Sequence, residues 1–538
     1  MYRLIPYSKA SRELSLQEKV GQFFMPAAFI NDSEEEIQIL ERVIKEQHVG
    51  GLCFFHSRAS AATNYEGVKE IPYNAESLTT LTTLIQRYQK IAKHPLLISI
   101  DAEWGLAMRI EETPQYPYAL TLGAISGDND LIFEVGRHIA QDCKKAGIHW
   151  NLAPVVDINN NPANPVIGYR SFGERREQVY KKALAFIQGT QSEGILTSIK
   201  HFPGHGDTAT DSHLGLPIID KSKKALLENE LYPFQKLIQD GVDSVMAGHL
   251  CVPALAQGKA DPSSLSKEII KGLLRDEMGF TGVVISDALN MHAVSKKYPV
   301  KGELEWVAFD AGNDVLCFAE HTEEGITTIL ERASTDQIEQ SFKRIWALKE
   351  KSIPKEIPKS GQATNHLAPY ELNKKLATES LTCLKGKAGD IREFLNSGFI
   401  GISVGRNADN PFFKSLAKSI SLDCLSLEVE ATNLLERLEG ENRVLLPIFP
   451  PLASPKDSFG LTQELLQVND LLAKKEVILY LFGNPYLLNH ISWHKAKAVV
   501  IAYQDFPIFQ EMAALHFLTQ QGAGGNLPVA LDQNISHG

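Results

Sequence analysis

The sequence has few of the features that mark disulfide-bonded or membrane-spanning proteins. Its 538 residues include six cysteines and no CxxC pair, which argues against a disulfide framework and a zinc knuckle. No apolar run reaches the roughly 18 residues that a membrane-spanning helix needs. The start, MYRLIPYSKASRELSLQEK, lacks the apolar core of a signal peptide. We expect a cytoplasmic protein without a membrane partner, or a secreted or periplasmic one if a signal segment has been removed.

The charge balance and the missing phosphate-binding motifs exclude further classes. Lysine and arginine number 54 against 65 acidic residues, a formal net charge of −11, and no basic run could follow a nucleic-acid backbone. Neither a P-loop nor a GxGxxG fingerprint is present, and no HExxH zinc motif occurs. We therefore expect no nucleic-acid partner and no nucleotide cofactor, and the pattern assigns no oligomeric state.

Eight short apolar runs, separated by segments with helical spacing, organise the first two thirds of the chain. Apolar positions three and four apart predict helices over 177–191 and 263–278. Repeated strand and helix units of this kind predict an α/β fold, a TIM-like (β/α)8 barrel, with a doubly wound open sheet as the alternative. The runs are GQFFMPAAF (21–29), GGLCFF (50–55), PLLISID (95–101), HWNLAPVVDI (149–158), TSIKHF (197–202), DSVMAGHL (243–250), TGVVISDAL (281–289) and NDVLCFA (313–319).

A charged segment with three prolines, 349–369, separates the barrel from the rest of the chain. We predict a catalytic barrel over 1–348, a linker over 349–365 and a second domain over 366–538. Continuous apolar runs in the second domain are typical of strands that are covered on both faces. They predict a smaller α/β (αβα) sandwich, and they span 399–405, 443–449, 476–483 and 497–504.

Polar side chains follow several of the predicted barrel strands. Because parallel strands of a barrel end at one rim, we expect these side chains to form a site there. A single charge at a strand end is more often a helix cap or a structural ion pair, and it is the recurrence that favours a site. The residues are Asp101, Asp157, Lys200, His201, His249 and Asp287.

The densest polar segment is KHFPGHGDTATDSH, residues 200–213. Gly204 and Gly206 permit unusual backbone angles, so this loop can bring side chains back over the barrel mouth. Asp211 stands two residues before His213, a spacing at which the carboxylate can orient the imidazole and support proton transfer. An Asx turn with a surface histidine is the structural alternative.

A metal site is a second interpretation of the same loop, because it holds several imidazoles and carboxylates. The ammonium of Lys200 beside His201 opposes a bound cation, so we predict no metal. The ligand set under this interpretation is His201, His205, Asp207, Asp211 and His213.

Three separated segments resemble the signatures of the family 3 glycoside hydrolases, in particular the β-N-acetylglucosaminidase branch. They are KHFPGHGDTATDSH (200–213), NLAPVVDINNNPANPVIGYRSFGE (151–174) and GVVISDALNM (282–291). The resemblance covers residues 15–345, in the family's order, and it implies a barrel enzyme that removes terminal GlcNAc from a small carbohydrate. Under this resemblance, fragments of peptidoglycan or chitin are the expected sources of that GlcNAc.

The resemblance also implies roles for individual residues. Asp287 corresponds to the catalytic nucleophile of a retaining glycosidase, which forms a covalent glycosyl-enzyme. His213, backed by Asp211, corresponds to the general acid and base. The residues that correspond to the sugar-binding group are Asp101, Arg109, Arg170, Lys200 and His201.

The sequence leaves the roles of several residues and the exact activity open. Three residues are expected to support the site, but the sequence does not separate their roles: Asn151, Asp157 and His249. Trp104 stands where many family members have glycine, so it either lines the sugar site or packs beneath the loop. The alternative functions are a β-N-acetylglucosaminide phosphorylase, a β-glucosidase or β-xylosidase, a metal hydrolase, and a carbohydrate-binding protein without catalysis.

Overall fold

The computed structural model describes residues 4–58, 72–208, 215–353, 368–427 and 438–532. The chain divides into two compact units. The first consists of Met1–Tyr116, Ile132–Ile158 and Ala183–Asn365, and the second of Pro117–Leu131, Asn159–Lys182 and His366–Gly538. Two short segments from the first half of the chain therefore belong to the second unit. The boundaries 1–348, 349–365 and 366–538 stay a prediction.

The first unit is built on a curled parallel sheet. Seven strands pair in the order β2-β3-β4-β5-β6-β7-β8, all parallel. Ile285 of β8 also bridges to Val315, and the following β9 pairs in parallel with β1. The strands are β1 (Phe24–Met25), β2 (Ala27–Phe29), β3 (Gly51–Phe55), β4 (Leu97–Ile100), β5 (Trp150–Asn151), β6 (Leu196–Phe202), β7 (Ser244–Ala247), β8 (Val283–Ser286) and β9 (Leu316–Cys317).

Each of the eight predicted apolar runs contains at least one of these strands, which confirms the α/β fold with a parallel sheet. All residues of β4, β6, β7 and β8 are buried. Continuous burial arises because helices cover one face of a parallel sheet while side chains fill its interior.

Helices alternate with the strands along the first unit. The helix over Glu34–Gln47 shows the local cause, because Ser33 and Glu36 form a capping box at its start. Its buried side chains, Ile37, Leu40 and Ile44, recur at helical spacing. Among the described residues, no helix is both long and apolar enough to cross a membrane.

The helices are Tyr7–Glu13, Leu16–Gly21, Glu34–Gln47, Ser77–Ile91, Asp130–Ala146, Arg176–Ser192, Lys223–Glu228, Tyr232–Gln239, His292–Ser295, Glu303–Ala311, Thr322–Arg332 and Thr335–Ser352. Short 3-10 turns cover Leu106–Met108 and Ser263–Leu265, and a π-helix covers Glu268–Glu277. The helix predicted over 177–191 is confirmed, whereas the one predicted over 263–278 is a 3-10 turn followed by the π-helix.

The second unit contains a six-stranded sheet in the order β10-β15-β14-β13-β11-β12. Its strands are parallel except for β10, which runs antiparallel to β15. The four predicted runs contain β11, β13, β14 and β15, while β10 and β12 at the edges were not predicted. The strands are β10 (Thr382–Lys385), β11 (Ile400–Ser403), β12 (Cys424–Ser426), β13 (Arg443–Ile448), β14 (Glu476–Leu481) and β15 (Ala498–Ile501).

Successive residues of the central strands pack into two different apolar clusters. Leu445 and Ile478 lie in the cluster that contains Phe517, whereas Val444 and Val477 lie in the other. This alternation follows from the two-residue period of a strand. The helices of this unit are Ala119–Ala124, Pro369–Ser380, Ala388–Leu395, Pro411–Ala417, Asp457–Gly460, Glu464–Lys474 and Pro507–Thr519, with 3-10 turns at Gly168–Arg170, Pro485–His490 and Trp493–Lys495.

Candidate functional site

A buried ion-pair cluster lies where β4 and β6 end. The Nζ atom of Lys200 is 2.7 Å from a carboxylate oxygen of Asp101 and 2.7 Å from one of Glu103. Arg109 donates from Nη2 to the second oxygen of Asp101 at 3.0 Å. The Lys200 side chain is only 2% exposed, so its charge depends on these carboxylates for compensation. Two cations and two carboxylates balance one another in this cluster.

The cations keep Asp101 ionised. Burial opposes ionisation of this carboxyl group, but the charges of Lys200 and Arg109 outweigh burial and lower the pKa of Asp101 to about 2. At neutral pH the group is therefore an ionised hydrogen-bond acceptor. Such a carboxylate, with two cationic donors beside it, has the chemistry needed to bind the hydroxyl groups of a sugar.

Asn151 fixes the backbone that carries the two carboxylates. Its side-chain oxygen accepts from the Ala102 N–H at 3.0 Å, and its amide nitrogen donates to the Ala102 carbonyl oxygen at 3.1 Å. Ala102 stands between Asp101 and Glu103. The role of Asn151 is thus to position this pair. Glu103 was not among the predicted site residues, although its position two residues after Asp101 could have indicated it.

Asp157 holds His201, in the last residues of β6, and His205, in the loop that follows this strand. Its fully buried carboxylate accepts hydrogen bonds from Nδ1 of His201 at 2.7 Å and from the His205 N–H at 2.7 Å. Burial opposes ionisation, but the neighbouring His201 lowers the pKa of Asp157 overall. Because Nδ1 of His201 donates to Asp157, the Nε2 atom is the acceptor in a neutral ring.

Asp287 follows β8 at the rim where Asp101 follows β4. Its backbone N–H donates to the Ala247 carbonyl oxygen at 2.9 Å, and its Oδ1 atom accepts from the Ala288 N–H at 2.8 Å. The side chain is half-buried. The hydrogen bond that the Cys317 thiol donates to Cys53, together with burial, raises the pKa of Cys317, and the charges of Asp101 and Asp287 raise it further. The charges of both carboxylates therefore raise the pKa of the same thiol, that of Cys317 in β9.

His249 holds the turn that carries Asp287. Its Nε2 atom lies 2.9 Å from the Ala288 carbonyl oxygen, and its Nδ1 atom lies 2.6 Å from Oγ of Ser264. Since a carbonyl oxygen only accepts, Nε2 carries a proton, and in a neutral ring Nδ1 then accepts from the Ser264 hydroxyl. The three supporting residues thus have different contacts. Asn151 bonds to the backbone beside Asp101, Asp157 bonds to the ring of His201, and His249 bonds to the backbone beside Asp287.

The two loop glycines act in different ways. Gly204 has a φ of 125°, in the region that favours glycine. Gly206 instead makes a close approach, because a Cβ atom there would lie 1.5 Å from the Ile158 carbonyl oxygen. The catalytic pair proposed from sequence, Asp211 and His213, lies outside the described residues.

The remaining candidate metal ligands of the loop have separate partners. His205 contacts the Thr208 hydroxyl at 2.8 Å through Nδ1, and Asp207 forms an ion pair with Lys221 at 2.7 Å. Within the described ranges, no group of three or more His, Cys, Asp or Glu residues is arranged to hold a metal ion.

Arg170 and Trp104 have local partners. Arg170 lies in a 3-10 turn of the second unit, where its guanidinium donates to the Val166 carbonyl oxygen at 3.3 Å. Trp104 is half-buried, and its carbonyl oxygen accepts from the Tyr116 N–H at 2.9 Å.

One serine motif carries no catalytic geometry. Residues 401–405, GISVG, match the GxSxG pattern of serine hydrolases. Ser403 is a fully buried residue of β11, and its hydroxyl accepts from the Asn410 amide at 3.2 Å. It therefore does not occupy the exposed turn between strand and helix that this chemistry requires.

The sequence model of the glycosyl hydrolase family 3 N-terminal domain matches residues 15–348. The chain belongs to glycosyl hydrolase family 3. This membership confirms the resemblance of the three segments, and it confirms the prediction of a glycoside hydrolase at the level of the family. The match covers the strands that carry Asp101, Asp157, Lys200 and Asp287.

Two family 3 relatives bear names that refer to amino sugars. The chain is 34% identical over 293 residues to a "Beta-hexosaminidase A" of Pseudoalteromonas piscicida, covering 51% of this chain and 46% of the relative. It is 30% identical over 320 residues to a "Beta-N-acetylglucosaminidase/beta-glucosidase" of Cellulomonas fimi, covering 58% and 52%. The chain thus spans about half the length of these relatives.

A solved family 3 structure is similar over almost the whole chain. It is a β-N-acetylglucosaminidase from Paenibacillus sp. str. FPU-7, with a TM-score of 0.77 and 28% sequence identity. The likeness covers 97% of this chain and 100% of that one. The fold is therefore that of a family 3 enzyme, while the roles of individual site residues stay predictions.

Proposed function

We propose that the protein is a retaining exo-β-N-acetylglucosaminidase, which hydrolyses terminal non-reducing β-linked GlcNAc. The observation that carries the proposal is the carboxylate of Asp287, directly after β8, with one oxygen held by the Ala288 N–H. The Asp101 carboxylate, paired with Lys200, follows another strand of the same sheet. Family membership and the names of the two relatives support the choice of an amino sugar.

The proposed reaction has two displacement steps and needs no cofactor. In the first, an oxygen of Asp287 bonds to the anomeric carbon, the bond to the glycosidic oxygen breaks, and His213 gives that oxygen a proton. In the second, His213 takes a proton from water, the water oxygen bonds to the anomeric carbon, and the Asp287 ester breaks. Asp211 orients His213 in both steps.

The buried cluster at the ends of β4 and β6 is proposed to bind the sugar. Asp101 would accept from ring hydroxyls, while Lys200 and Arg109 would donate to them. Glu103 joins this group because it shares Lys200 with Asp101. His201 and Arg170 keep their sequence-based assignment as sugar-binding residues.

A β-glucosidase is the second candidate, because the Cellulomonas fimi relative carries both activities in its name. Hydrolysis of nitrophenyl β-GlcNAc and of nitrophenyl β-glucoside should be compared, each with and without phosphate. A preference for GlcNAc that phosphate does not change supports the proposal, whereas a preference for glucose supports the second candidate. Formation of sugar 1-phosphate would indicate a phosphorylase. Loss of activity when a chelator is added would indicate a metal hydrolase.

The assignment of Asp287 has its own test. Asp287→Ala should lose nearly all turnover while it unfolds at the same temperature as the unmodified protein. A fluorinated sugar that traps the glycosyl-enzyme should add its mass to the peptide that contains Asp287. Labelling of another residue would contradict the assignment.

We further propose that the curled sheet closes as a (β/α)8 barrel and that the second unit is an αβα sandwich. The chain of pairings from β8 through Val315 and β9 to β1 supports the barrel. The two apolar clusters, which share the central strands, support the sandwich. We also propose a small carbohydrate as the binding partner. The proposed location of the protein is the cytoplasm.

A further inference from the structure

A pocket lies at the carboxyl ends of the strands in the second unit. The loops after β13, β14 and β15 line it, together with residues of the segments 117–131 and 159–182, all of which belong to this unit. Its volume is about 180 Å³. An engineered cavity of roughly 150 Å³ binds benzene, so this pocket has room for one six-membered ring.

The position of the pocket in the sheet is one at which α/β proteins bind ligands. In open α/β sheets, ligands bind outside the carboxyl ends of the strands. The pocket lies there, on the loops that follow the neighbouring parallel strands β13, β14 and β15. The reversal of strand order between β11 and β13 is next to it, although no described residue of the loop after β11 lines the pocket.

Aromatic rings form part of the pocket wall. The rings of Tyr118 and Tyr169 are 4.6 Å apart at 57°, and both side chains are half-buried. Tyr503 is buried, and its hydroxyl lies 2.8 Å from that of Thr382. Its φ of 61° is unfavourable for a bulky residue. Backbone strain of this kind concentrates at binding and catalytic sites, where the surrounding structure imposes it.

Fixed polar groups complete the wall. The Gln504 amide donates to the Thr121 hydroxyl at 3.0 Å, and the Asn484 amide donates to the Ala453 carbonyl oxygen at 3.1 Å. Asp505 supplies a carboxylate that pairs with Arg406. Among the described residues that line the pocket, Asp505 is the one carboxylate and there is no lysine or arginine, so the lining does not favour a phosphorylated ligand.

We propose that this pocket binds one pyranose ring of a neutral carbohydrate. The C–H face of a pyranose packs on aromatic rings, while its hydroxyls bond to amides and carboxylates. The choice of a carbohydrate rests on the proposed function of the chain. The bound ring is either a further residue of the oligosaccharide substrate or a free monosaccharide, and the competitors described below distinguish the two.

Photo-crosslinking tests the proposal without requiring turnover. The full chain with Asp287→Ala is irradiated with a diazirine-bearing GlcNAc, and labelling of the peptide that contains Asp505 is measured by mass spectrometry. We expect labelling that free GlcNAc competes. Tyr118→Ala should lower it about ten-fold, because a buried aromatic contact is lost. Tyr118→Phe should retain it, and Tyr370→Ala, an exposed tyrosine outside the pocket, should leave it unchanged.

The competitors identify the source of the ring. Stronger competition by di-N-acetylchitobiose than by GlcNAc indicates a ring of the substrate, and equal competition indicates a free monosaccharide. Much stronger competition by GlcNAc 6-phosphate would overturn the neutral ligand. If free sugar does not reduce the labelling, the proposed binding site is wrong. It is also wrong if the Tyr118→Ala and Asp505→Asn variants fold and are labelled to the same extent as the chain without these substitutions.

The two proposals fail separately. A chain that hydrolyses nitrophenyl β-GlcNAc but shows no competed labelling near Asp505 contradicts only the pocket. A chain that hydrolyses neither aryl glycoside but binds GlcNAc in a Tyr118-dependent manner contradicts only the proposed function.

Discussion

The ammonium group of Lys200 lies 2.7 Å from the carboxylate of Asp101, although the two residues are 99 positions apart in the sequence. The two side chains meet because parallel strands end at the same edge of the sheet. An oxygen of Glu103 also lies 2.7 Å from this ammonium group. Each of these buried charges depends on its partners, and this dependence can be tested by removing one of them.

Replacing Lys200 by methionine should destabilise the protein. Lys200→Met leaves Asp101 and Glu103 without their shared cation, and breaking a buried pair costs about 3–5 kcal/mol. Chemical denaturation should show this loss in the free energy of unfolding, and activity should fall with it. Lys259→Met, which breaks an exposed pair with Glu268, should lower the free energy of unfolding far less, because solvent screens that pair. Equal losses for the two variants would contradict the buried cluster.

The low pKa of Asp101 predicts a contribution to acid sensitivity. Its pKa of about 2 lies below the ordinary value of 3.8, so the folded state favours the ionised form. The stabilisation is fully present above about pH 4 and is lost as the pH falls through about 2. Its size is about 2 kcal/mol. The difference in unfolding free energy between the protein and Asp101→Asn should therefore shrink by this amount between pH 6 and pH 2. A difference independent of pH would contradict the lowered pKa.

His249 is expected to act on turnover through the position of Asp287. His249→Ala removes the hydrogen bond to the Ala288 carbonyl oxygen. A displacement of about 1 Å in a catalytic group can cost about 100-fold in rate. We expect kcat to fall by about 10- to 100-fold with KM little changed.

Two further variants check the His249 prediction. His249→Gln, whose amide can still donate, should recover part of the rate, and the exposed His494→Ala should behave as the unmodified protein. A change confined to KM would argue against positioning of the nucleophile.

Gly206 should not tolerate a side chain. In Gly206→Ala the new Cβ would meet the Ile158 carbonyl oxygen at 1.5 Å, so the loop over 204–208 must move. We expect loss of activity and a lower melting temperature. The control is Gly272→Ala, where the nearest atom is 4.0 Å away. Since alanine is the better helix former, this control should keep full stability or gain up to about 1 kcal/mol.

The sequence was most informative where the chain is continuously apolar. All eight predicted runs of the first unit contain strands, because a strand buried on both faces has no polar position to interrupt it. The edge strands β10 and β12 were missed because most of their residues are only partly buried. The π-helix over 268–277 was also missed, since its apolar spacing resembles that of an ordinary helix.

Part of the candidate site could be recognised from the sequence as well. Asp101, Asp157, Lys200, His249 and Asp287 were found as polar residues that follow apolar runs. Glu103 was missed because its partner is distant in the chain. The separate roles of the supporting residues were equally hidden, since each depends on a hydrogen bond to a residue 39 or more positions away.

The sequence by itself determined the alternation of strands and helices, because local apolar patterns predict it. It also determined the family, because contiguous motifs identify it. Only the tertiary structure decided which charges meet, such as Lys200 between Asp101 and Glu103. It also decided that residues 117–131 and 159–182 pack with the second unit. These arrangements depend on contacts between segments far apart in the chain, and no local pattern of residues encodes them.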